Sequence, residues 1–195
     1  MILYFDTETT GLRPGQICQI SYIIQDKNGA TAKNFFFSVD FVEQSAFLVH
    51  GFSKEKLQSL SGGKKFCDSF LEIKEDFMNA DLIVSHNTSF DFSFMRKEYE
   101  RLNEIFLIKN EFCSMKKFTP ICKLKRKSGE GFKYPKLSEL CEFLGICDEE
   151  VQKNTQKLFS ACSSFHDARF DTSAVYLAVN KGLEKDYFKE IKQYL

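Results

Sequence analysis

Residues 1–12, MILYFDTETTGL, carry the strongest structural signal of the chain. Five apolar residues lead directly into Asp6-Thr7-Glu8, and this run predicts a buried strand. Side chains alternate along a strand, so Asp6 and Glu8 face the same way. Two such carboxylates at the end of a buried strand are costly unless a cation lies between them. The stretch therefore predicts a divalent-cation site, with a tight, backbone-exposing turn at Thr9 to Leu12 beside it.

Length and composition indicate one domain over residues 1–195. The chain is 43% hydrophobic, which suffices for a full-sized core, and its 22 phenylalanines without tryptophan predict a phenylalanine-rich one. A formal net charge of zero argues against a protein that coats long duplexes by neutralising phosphates. It leaves room for an enzyme that grips a few nucleotides at one end.

The cysteines and the N-terminus indicate a cytoplasmic protein. Seven cysteines, an odd number without a CxxC pair, predict reduced thiols rather than disulfides or a zinc site. No basic segment precedes the first apolar run, which argues against a signal peptide. No apolar run approaches the length needed to span a membrane.

The pattern of apolar residues predicts an α/β fold with a mixed sheet. Residues 16–25 alternate in polarity, residues 26–29 (DKNG) have hairpin chemistry, and residues 31–39 return, which together predict an antiparallel meander. Further along the chain, helical spacing alternates with a short apolar strand at residues 82–84. The predicted helices cover residues 53–60, 66–78, 90–102, 137–144 and 165–183.

A second polar motif, HNTSFD, spans residues 86–91. Asn87 or Ser89 could cap the helix that follows, which explains a polar residue there but not Asp91. An acid set between Phe90 and Phe92 favours a metal ligand or a buried pair, while a surface-facing carboxylate remains the alternative.

A third motif, HDARFD, spans residues 166–171. His166 and Asp171 would be about 140° apart on a helix, so they share a site only if His166 precedes it. Imidazole exchanges protons near neutral pH and suits a general base, with a capping or core-edge histidine as the alternative.

Carboxylates without a thiolate favour Mg²⁺ or Mn²⁺ over zinc. Two such ions about 4 Å apart can activate a water and stabilise the leaving oxygen of a phosphodiester.

Taken together, FDTETTG, HNTSFD and HDARFD resemble the three motifs of the DEDDh branch of 3′-to-5′ exonucleases. This family includes proofreading subunits of bacterial replicative polymerases, ribonuclease T and oligoribonuclease. The resemblance extends over most of the chain, including residues 49–52 (VHGF) and 134–146. It implies a ribonuclease H-like fold with a central mixed five-stranded sheet between helices.

The resemblance also implies the metal centre, with two Mg²⁺ (or Mn²⁺) ions. Asp6, Glu8 and Asp171 would bind the metal that activates water. Asp6 would bridge to a second metal, which Asp91 would hold directly or through water. His166 would be the general base that deprotonates the nucleophilic water.

The same resemblance implies a substrate site for a single-stranded 3′ end. Glu8, Thr9 and the backbone near Gly11 would hold the terminal nucleotide, and Leu12 would wedge against its base. His86 and Asn87 would position the site or the penultimate nucleotide. Many relatives carry Asp-Thr where this chain has residues 113–114 (CS), outside the catalytic set.

Residues 109–136 carry nine basic and two acidic residues, a local charge of +7 in a chain of net charge zero. This basic segment is either a surface for the nucleic-acid strand or an ordinary solvated loop.

Three functions remain open at this point. The first is a metal-dependent 3′-to-5′ DNA exonuclease that releases nucleoside monophosphates, in proofreading with a polymerase subunit or in repair. The second is an RNA-trimming 3′-to-5′ exoribonuclease, since no motif reads the 2′-hydroxyl. The third is a non-catalytic binding module, which the costly cluster of acids argues against. The oligomeric state is left undetermined.

Overall fold

The apolar run at the N-terminus forms the central strand of a mixed five-stranded sheet in the computed structural model, which describes residues 1–161 and 164–195. The strands lie in the order β3-β2-β1-β4-β5. β2 is antiparallel to both of its neighbours, β1 and β3, whereas β4 pairs in parallel with β1 and β5 pairs in parallel with β4. The sheet confirms the predicted meander and the expected α/β class. Its strands are β1 Ile2–Thr9, β2 Ile17–Asp26, β3 Gly29–Phe36, β4 Leu82–Ser85 and β5 Glu111–Cys113.

Helices cover both faces of the sheet. The side chain of Ser53 accepts a hydrogen bond from the backbone of Lys56, as the sequence predicts for the cap of α2. The helices are α1 Gln44–His50, α2 Lys54–Ser61, α3 Phe66–Asn79, α4 Thr88–Arg101, α5 Ser114–Cys122, α6 Leu137–Leu144, α7 Asp148–Phe159 and α8 Ala168–Glu184, followed by a 3₁₀ helix over Lys189–Tyr194.

Four of these elements have no counterpart in the prediction: α1, α5, α7 and β5. The strand β5 has only three residues, and α5 contains Pro120, which lacks the amide that a helix interior uses. The helix predicted from residue 165 begins instead at Ala168. Asp167 caps it by accepting a hydrogen bond from the backbone of Arg169.

The two faces of β1 belong to different halves of the core. Ile2 and Tyr4 pack with residues of α8, whereas Leu3 and Phe5 pack with residues of α3 and α4. Because the alternation continues into the motif, Asp6 and Glu8 follow the α8 side and Thr7 follows the α4 side. The strand thereby directs its two acids toward the N-terminal end of α8.

The cysteines for which the structure gives a position are free thiols, as expected: Cys18, Cys67, Cys113, Cys122, Cys141 and Cys147. Cys113 is buried. Cys162, included in the same expectation, lies outside the described residues. Among residues 1–161 and 164–195, no helix combines the length and the hydropathy required to cross a membrane.

Candidate active site

Asp6 and Glu8 lie near the end of β1, where the ladder with β2 shifts register between Glu8 and Thr9. Burial raises the pKa of Asp6 well above its usual range, and the charges of Asp91 and Asp171 add to the effect. Burial followed by the charge of Asp171 does the same for the pKa of Glu8. Both carboxylates therefore carry an energetic penalty that a bound cation would relieve.

Asp171 joins these two acids from the first turn of α8. One oxygen from each of Asp6, Glu8 and Asp171 lies within 4.8 Å of the others. The Oδ2 atom of Asp171 accepts a hydrogen bond of 3.1 Å from the backbone of His166. Burial raises the pKa of Asp171 to about 7 against the opposing effect of this bond. The fold thus assembles the three carboxylates that the motifs predict to share a metal.

Asp91 lies at the N-terminal end of α4 and is 2% exposed, which rejects the alternative of a surface-facing carboxylate. Thr7 Oγ1 donates to its Oδ1 atom at 2.8 Å, and Ser85 Oγ donates to its Oδ2 atom at 3.0 Å. Burial raises the pKa of Asp91 to about 7, although both hydroxyls act in the opposite direction. Asp91 stands outside the group of three, and its oxygens keep further lone pairs for a cation or a water.

These residues fit a hard divalent cation. Oδ1 of Asp171 is buried and has no hydrogen-bond partner within the described part of the chain, so a ligand is needed to satisfy it. All the converging donors are carboxylate oxygens, which suit Mg²⁺ or Mn²⁺. The raised pKa values of the acids also favour a bound cation, because a positive charge between the carboxylates would stabilise their charged forms.

A cavity of about 480 Å³ opens over the acids and brings His166 to them. It is lined by Asp6, Asp171, His166 and Lys136, among others. His166 precedes α8 and has a φ of 66°, in the left-handed region that non-glycine residues rarely adopt. Because His166 lies in this turn and not on the helix, the 140° separation expected on a helix does not apply, and His166 and Asp171 border one cavity.

A second cavity, of about 280 Å³, is lined by the residues predicted to hold the terminal nucleotide, Glu8, Thr9 and Gly11, and by the predicted wedge, Leu12. Its lining is mostly apolar, and Leu12 is 77% exposed at its edge. The structure thus places the predicted nucleotide site next to the carboxylates. The lining residues are Thr7, Glu8, Thr9, Gly11, Leu12, Ser45, Ala46, Val49, His50 and Phe90.

His50 supports this second cavity and explains the VHGF segment. The backbone amide of Phe52 donates to Nδ1 of His50 at 3.0 Å. The Nε2–H group is therefore the one that donates to the carbonyl of Thr9, at 3.2 Å. Burial lowers the pKa of His50, which favours this neutral tautomer. Sequence reasoning noted the segment through the resemblance but assigned His50 no role.

His86 lines the cavity over the acids, yet both of its ring nitrogens have protein partners. Nε2 lies 3.0 Å from the carbonyl of Pro135, and Nδ1 lies 2.9 Å from Ser114 Oγ. Burial lowers the pKa of His86 to about 4, so the ring is neutral and links three segments of the chain. This geometry favours a role in positioning the site. Asn87 occupies the N-cap of α4 with a φ of 83°, and its side chain makes no capping bond.

A buried clamp beside the acids was not predicted. Gln19 pairs with Glu8 across the β1–β2 ladder and is completely buried. Its Nε2 donates to Asp167 Oδ1 at 3.0 Å, and its Oε1 accepts from the backbone of Ala168 at 3.2 Å. Asp167 also pairs with Arg169 at 2.6 Å. The one available signal was a glutamine among the apolar residues of the second strand.

The comparisons with known proteins agree with this arrangement. A model of the exonuclease family RNase_T matches residues 3–176. DNA polymerase III subunit epsilon of Salmonella typhimurium strain LT2 is 32% identical over 190 residues, which cover 92% of this chain and 71% of that protein. The protein of the same name from Buchnera aphidicola is 31% identical over 123 residues, which cover 58% of this chain. That alignment spans half of the Buchnera protein.

Solved structures of Escherichia coli exonuclease I share the fold. Its complex with a dT13 oligonucleotide has a TM-score of 0.72 at 18% identity, covering 99% of this chain and 42% of that one. Its complex with a dA16 oligonucleotide has a TM-score of 0.73 at 16% identity, covering 98% and 43%. This likeness confirms the ribonuclease H-like architecture. With the family match over residues 3–176, it follows that the chain belongs to the DEDD-type family of 3′-to-5′ exonuclease enzymes.

Proposed function

We propose that this chain removes nucleoside 5′-monophosphates one at a time from single-stranded or frayed DNA 3′ ends, by metal-dependent hydrolysis. The observation that carries the proposal is the convergence of Asp6, Glu8 and Asp171 within 4.8 Å, beside a cavity that His166 lines together with Asp6 and Asp171. The names of the relatives, DNA polymerase III subunit epsilon, support DNA over RNA. So do the dT13 and dA16 complexes of exonuclease I.

Two divalent cations complete the proposed site. Asp6, Glu8 and Asp171 would hold one of them, and Asp6 with Asp91 would hold the other. When bound, such ions neutralise the phosphate and acidify a water. The buried carboxylates would otherwise repel the phosphodiester anion, so activity is expected to depend on the metal.

His166 serves as the general base in this proposal. As the oxygen of the attacking water bonds to phosphorus, His166 takes the water proton. The bond between phosphorus and the 3′-oxygen of the penultimate nucleotide breaks, and that oxygen takes a proton from solvent. Asp171 supports the base by accepting the backbone hydrogen bond of His166, which ties its turn to the acids.

In this proposal the apolar cavity makes the enzyme act on the 3′ end of a strand, because it accommodates the terminal nucleotide. The terminal base and sugar would occupy the space between Leu12 and Val49, with Thr9 at the sugar. Leu12 is free to insert between the last two bases because its side chain projects into solvent. A frayed or mismatched end reaches this cavity more readily than a paired one, since its bases are already unstacked.

We further propose that residues 1–195 act as one exonuclease domain in the cytoplasm, in association with a DNA polymerase subunit. The shared name of the relatives supports this role, because each is described as a polymerase subunit. A proofreading role would appear as faster removal of a mismatched primer end than of a matched one.

The test is a cleavage ladder with Mg²⁺ or Mn²⁺. The substrates are 5′-labelled single-stranded DNA, single-stranded RNA, and primer–template duplexes with matched or mismatched 3′ ends. We expect single-nucleotide shortening of single-stranded DNA and of the mismatched primer, with slower shortening of the other two. Asp6→Asn should abolish cleavage and keep the circular dichroism spectrum, whereas the exposed-surface control Glu142→Gln should cleave normally. Internal cuts, or faster trimming of RNA, would overturn the proposal.

A further inference from the structure

Residues 123–136, the basic hairpin, form an ordered structure beside the active site. Lys125 and Phe132 pair as an antiparallel bridge. The backbone of Lys133 donates to the carbonyl of Leu124 at 2.8 Å, and Arg126 Nε donates to the carbonyl of Phe132 at 2.9 Å. The segment therefore has a defined surface, which sequence alone could not distinguish from that of a solvated loop.

The base of the basic hairpin is attached to the catalytic cavity. The carbonyl of Pro135 lies 3.0 Å from Nε2 of His86, at the start of the second motif. The next residue, Lys136, lines the same cavity as Asp6 and His166. A nucleic-acid strand whose 3′ end lies over the acids thus meets this segment as it leaves the site.

The hairpin carries positive charge that the protein does not neutralise. The side chains of Lys123, Lys125, Arg126 and Lys127 are exposed and form no salt bridge with any described residue. Residues 109–136 hold a charge of +7, so the remainder of the chain holds −7. A polyanion is therefore attracted to this surface.

Two exposed aromatic rings lie among these cations. Phe132 is 40% exposed and Tyr134 is 56% exposed, and they are two residues apart in the hairpin. Exposed rings interleaved with basic residues provide stacking for bases and ionic contacts for phosphates. A hairpin that served solubility alone would have no need of the rings.

We propose that the basic hairpin is a second nucleotide-binding surface, which holds the single strand on the 5′ side of the scissile bond. Bases stack on Phe132 and Tyr134, and the backbone phosphates contact Lys125, Arg126 and Lys127. The inference rests on the proposed exonuclease function and adds to it a dependence on substrate length. A dinucleotide fills the catalytic site alone, whereas a longer strand also reaches the hairpin.

The test compares a dinucleotide with a 12-nucleotide single strand. The charge variant is Lys125→Gln/Arg126→Gln/Lys127→Gln, and the aromatic variant is Phe132→Ser/Tyr134→Ser. The matched control, Lys153→Gln/Lys157→Gln/Lys185→Gln, removes the same charge from exposed positions outside the hairpin. Thermal unfolding should differ little among the variants, because every substituted side chain is exposed and Arg126 contributes a single exposed hydrogen bond to the hairpin.

Both hairpin variants should lower kcat/KM on the 12-mer about tenfold or more through KM, and leave the dinucleotide unaffected. The charge variant should also reduce the slope of log Kd against log salt concentration by about 2, since each lost phosphate contact removes about 0.7. Unchanged kinetics on the 12-mer, as expected of a hairpin that binds an acidic protein partner, would overturn the inference. So would an equal loss on both substrates.

Binding in EDTA separates this inference from the proposed function. Fluorescence anisotropy with the labelled 12-mer measures the hairpin contact without any cleavage. If the wild-type chain cleaves neither substrate, the catalytic proposal fails, while a weaker 12-mer affinity of the charge variant relative to its control still supports the hairpin. If the charge variant and its matched control bind the 12-mer with equal affinity, the hairpin proposal is refuted.

Discussion

Replacing Asp171 by asparagine is expected to stabilise the metal-free protein while abolishing its activity. Burial raises the pKa of Asp171 from its ordinary 3.8 to about 7. A shift of about three pH units corresponds to roughly 4 kcal/mol, at about 1.4 kcal/mol per unit. This is an upper bound on the gain in stability, because the repulsion between Asp171 and the other acids also appears in the raised pKa values of Asp6 and Glu8. For a chain of this size the unfolding temperature should rise by up to about 8–16 °C at pH 8.

The sign of the pH dependence follows from the direction of the shift. The unfolded chain releases the Asp171 proton near pH 4, whereas the folded chain holds it to about pH 7. Between these values the folded state binds more protons, so the stability of the metal-free wild type falls as the pH rises. Asp91 acts in the same direction, because burial also raises its pKa to about 7. Above pH 7 the penalty is complete, and the advantage of the asparagine is largest.

Thermal unfolding in EDTA at pH 5 and pH 8 measures this effect. The control is Glu75→Gln, which changes an exposed carboxylate to an amide on α3. Adding Mg²⁺ at pH 8 should stabilise the wild type, by about 2.7 kcal/mol at a hundredfold excess over Kd. It should stabilise Asp171→Asn much less. An asparagine variant that is no more stable than wild type at pH 8 in EDTA would refute the reasoning.

Two further predictions concern the groups around the acids. His166→Ala should lower kcat by roughly a hundredfold or more and weaken the fall in rate on the acidic side of the rate–pH profile, because a general base acts only in its unprotonated form. Rate–pH profiles of variant and wild type measure this. A wild-type profile in the variant would rule out His166 as the base. Gln19→Leu removes one hydrogen bond from Asp167, which keeps Arg169, and leaves the buried amide of Ala168 without its partner, so it should cost about 1–3 kcal/mol of stability. It should lower kcat more than it raises KM, and an effect confined to unfolding would show that the clamp is only structural.

The local elements could be predicted because their causes are local. The meander follows from alternating polarity and a DKNG turn, and the helices at α2, α3, α4 and α6 follow from apolar spacing with a cap or a glycine stop. Elements without such signals were missed. In α5, Pro120 interrupts the helical pattern, and β5 is too short to show alternation. Tertiary packing supplies the stability that these segments lack on their own.

In the candidate site, too, the sequence predicted the residues and the tertiary structure supplied their surroundings. The motifs predicted a site made of Asp6, Glu8, Asp91, His166 and Asp171. The structure brings Asp6, Glu8 and Asp171 together, lets His166 share a cavity with Asp6 and Asp171, and bonds Asp91 to Thr7 of the same strand as Asp6. The motifs carried no information on how the acids differ in their surroundings. Only the folded chain shows Asp91 held by two hydroxyls and Asp171 left with an unpaired oxygen.

By itself, the sequence determined that Asp6 and Glu8 share a face of a buried strand, because alternation of side chains is a property of the strand alone. Only the tertiary structure decided that Asp171 reaches them, since that depends on how α8 packs against β1. It also decided that the ring of His86 links the basic hairpin to the cavity. Local periodicity acts over a few residues, whereas contacts between distant segments depend on the packing of the whole core.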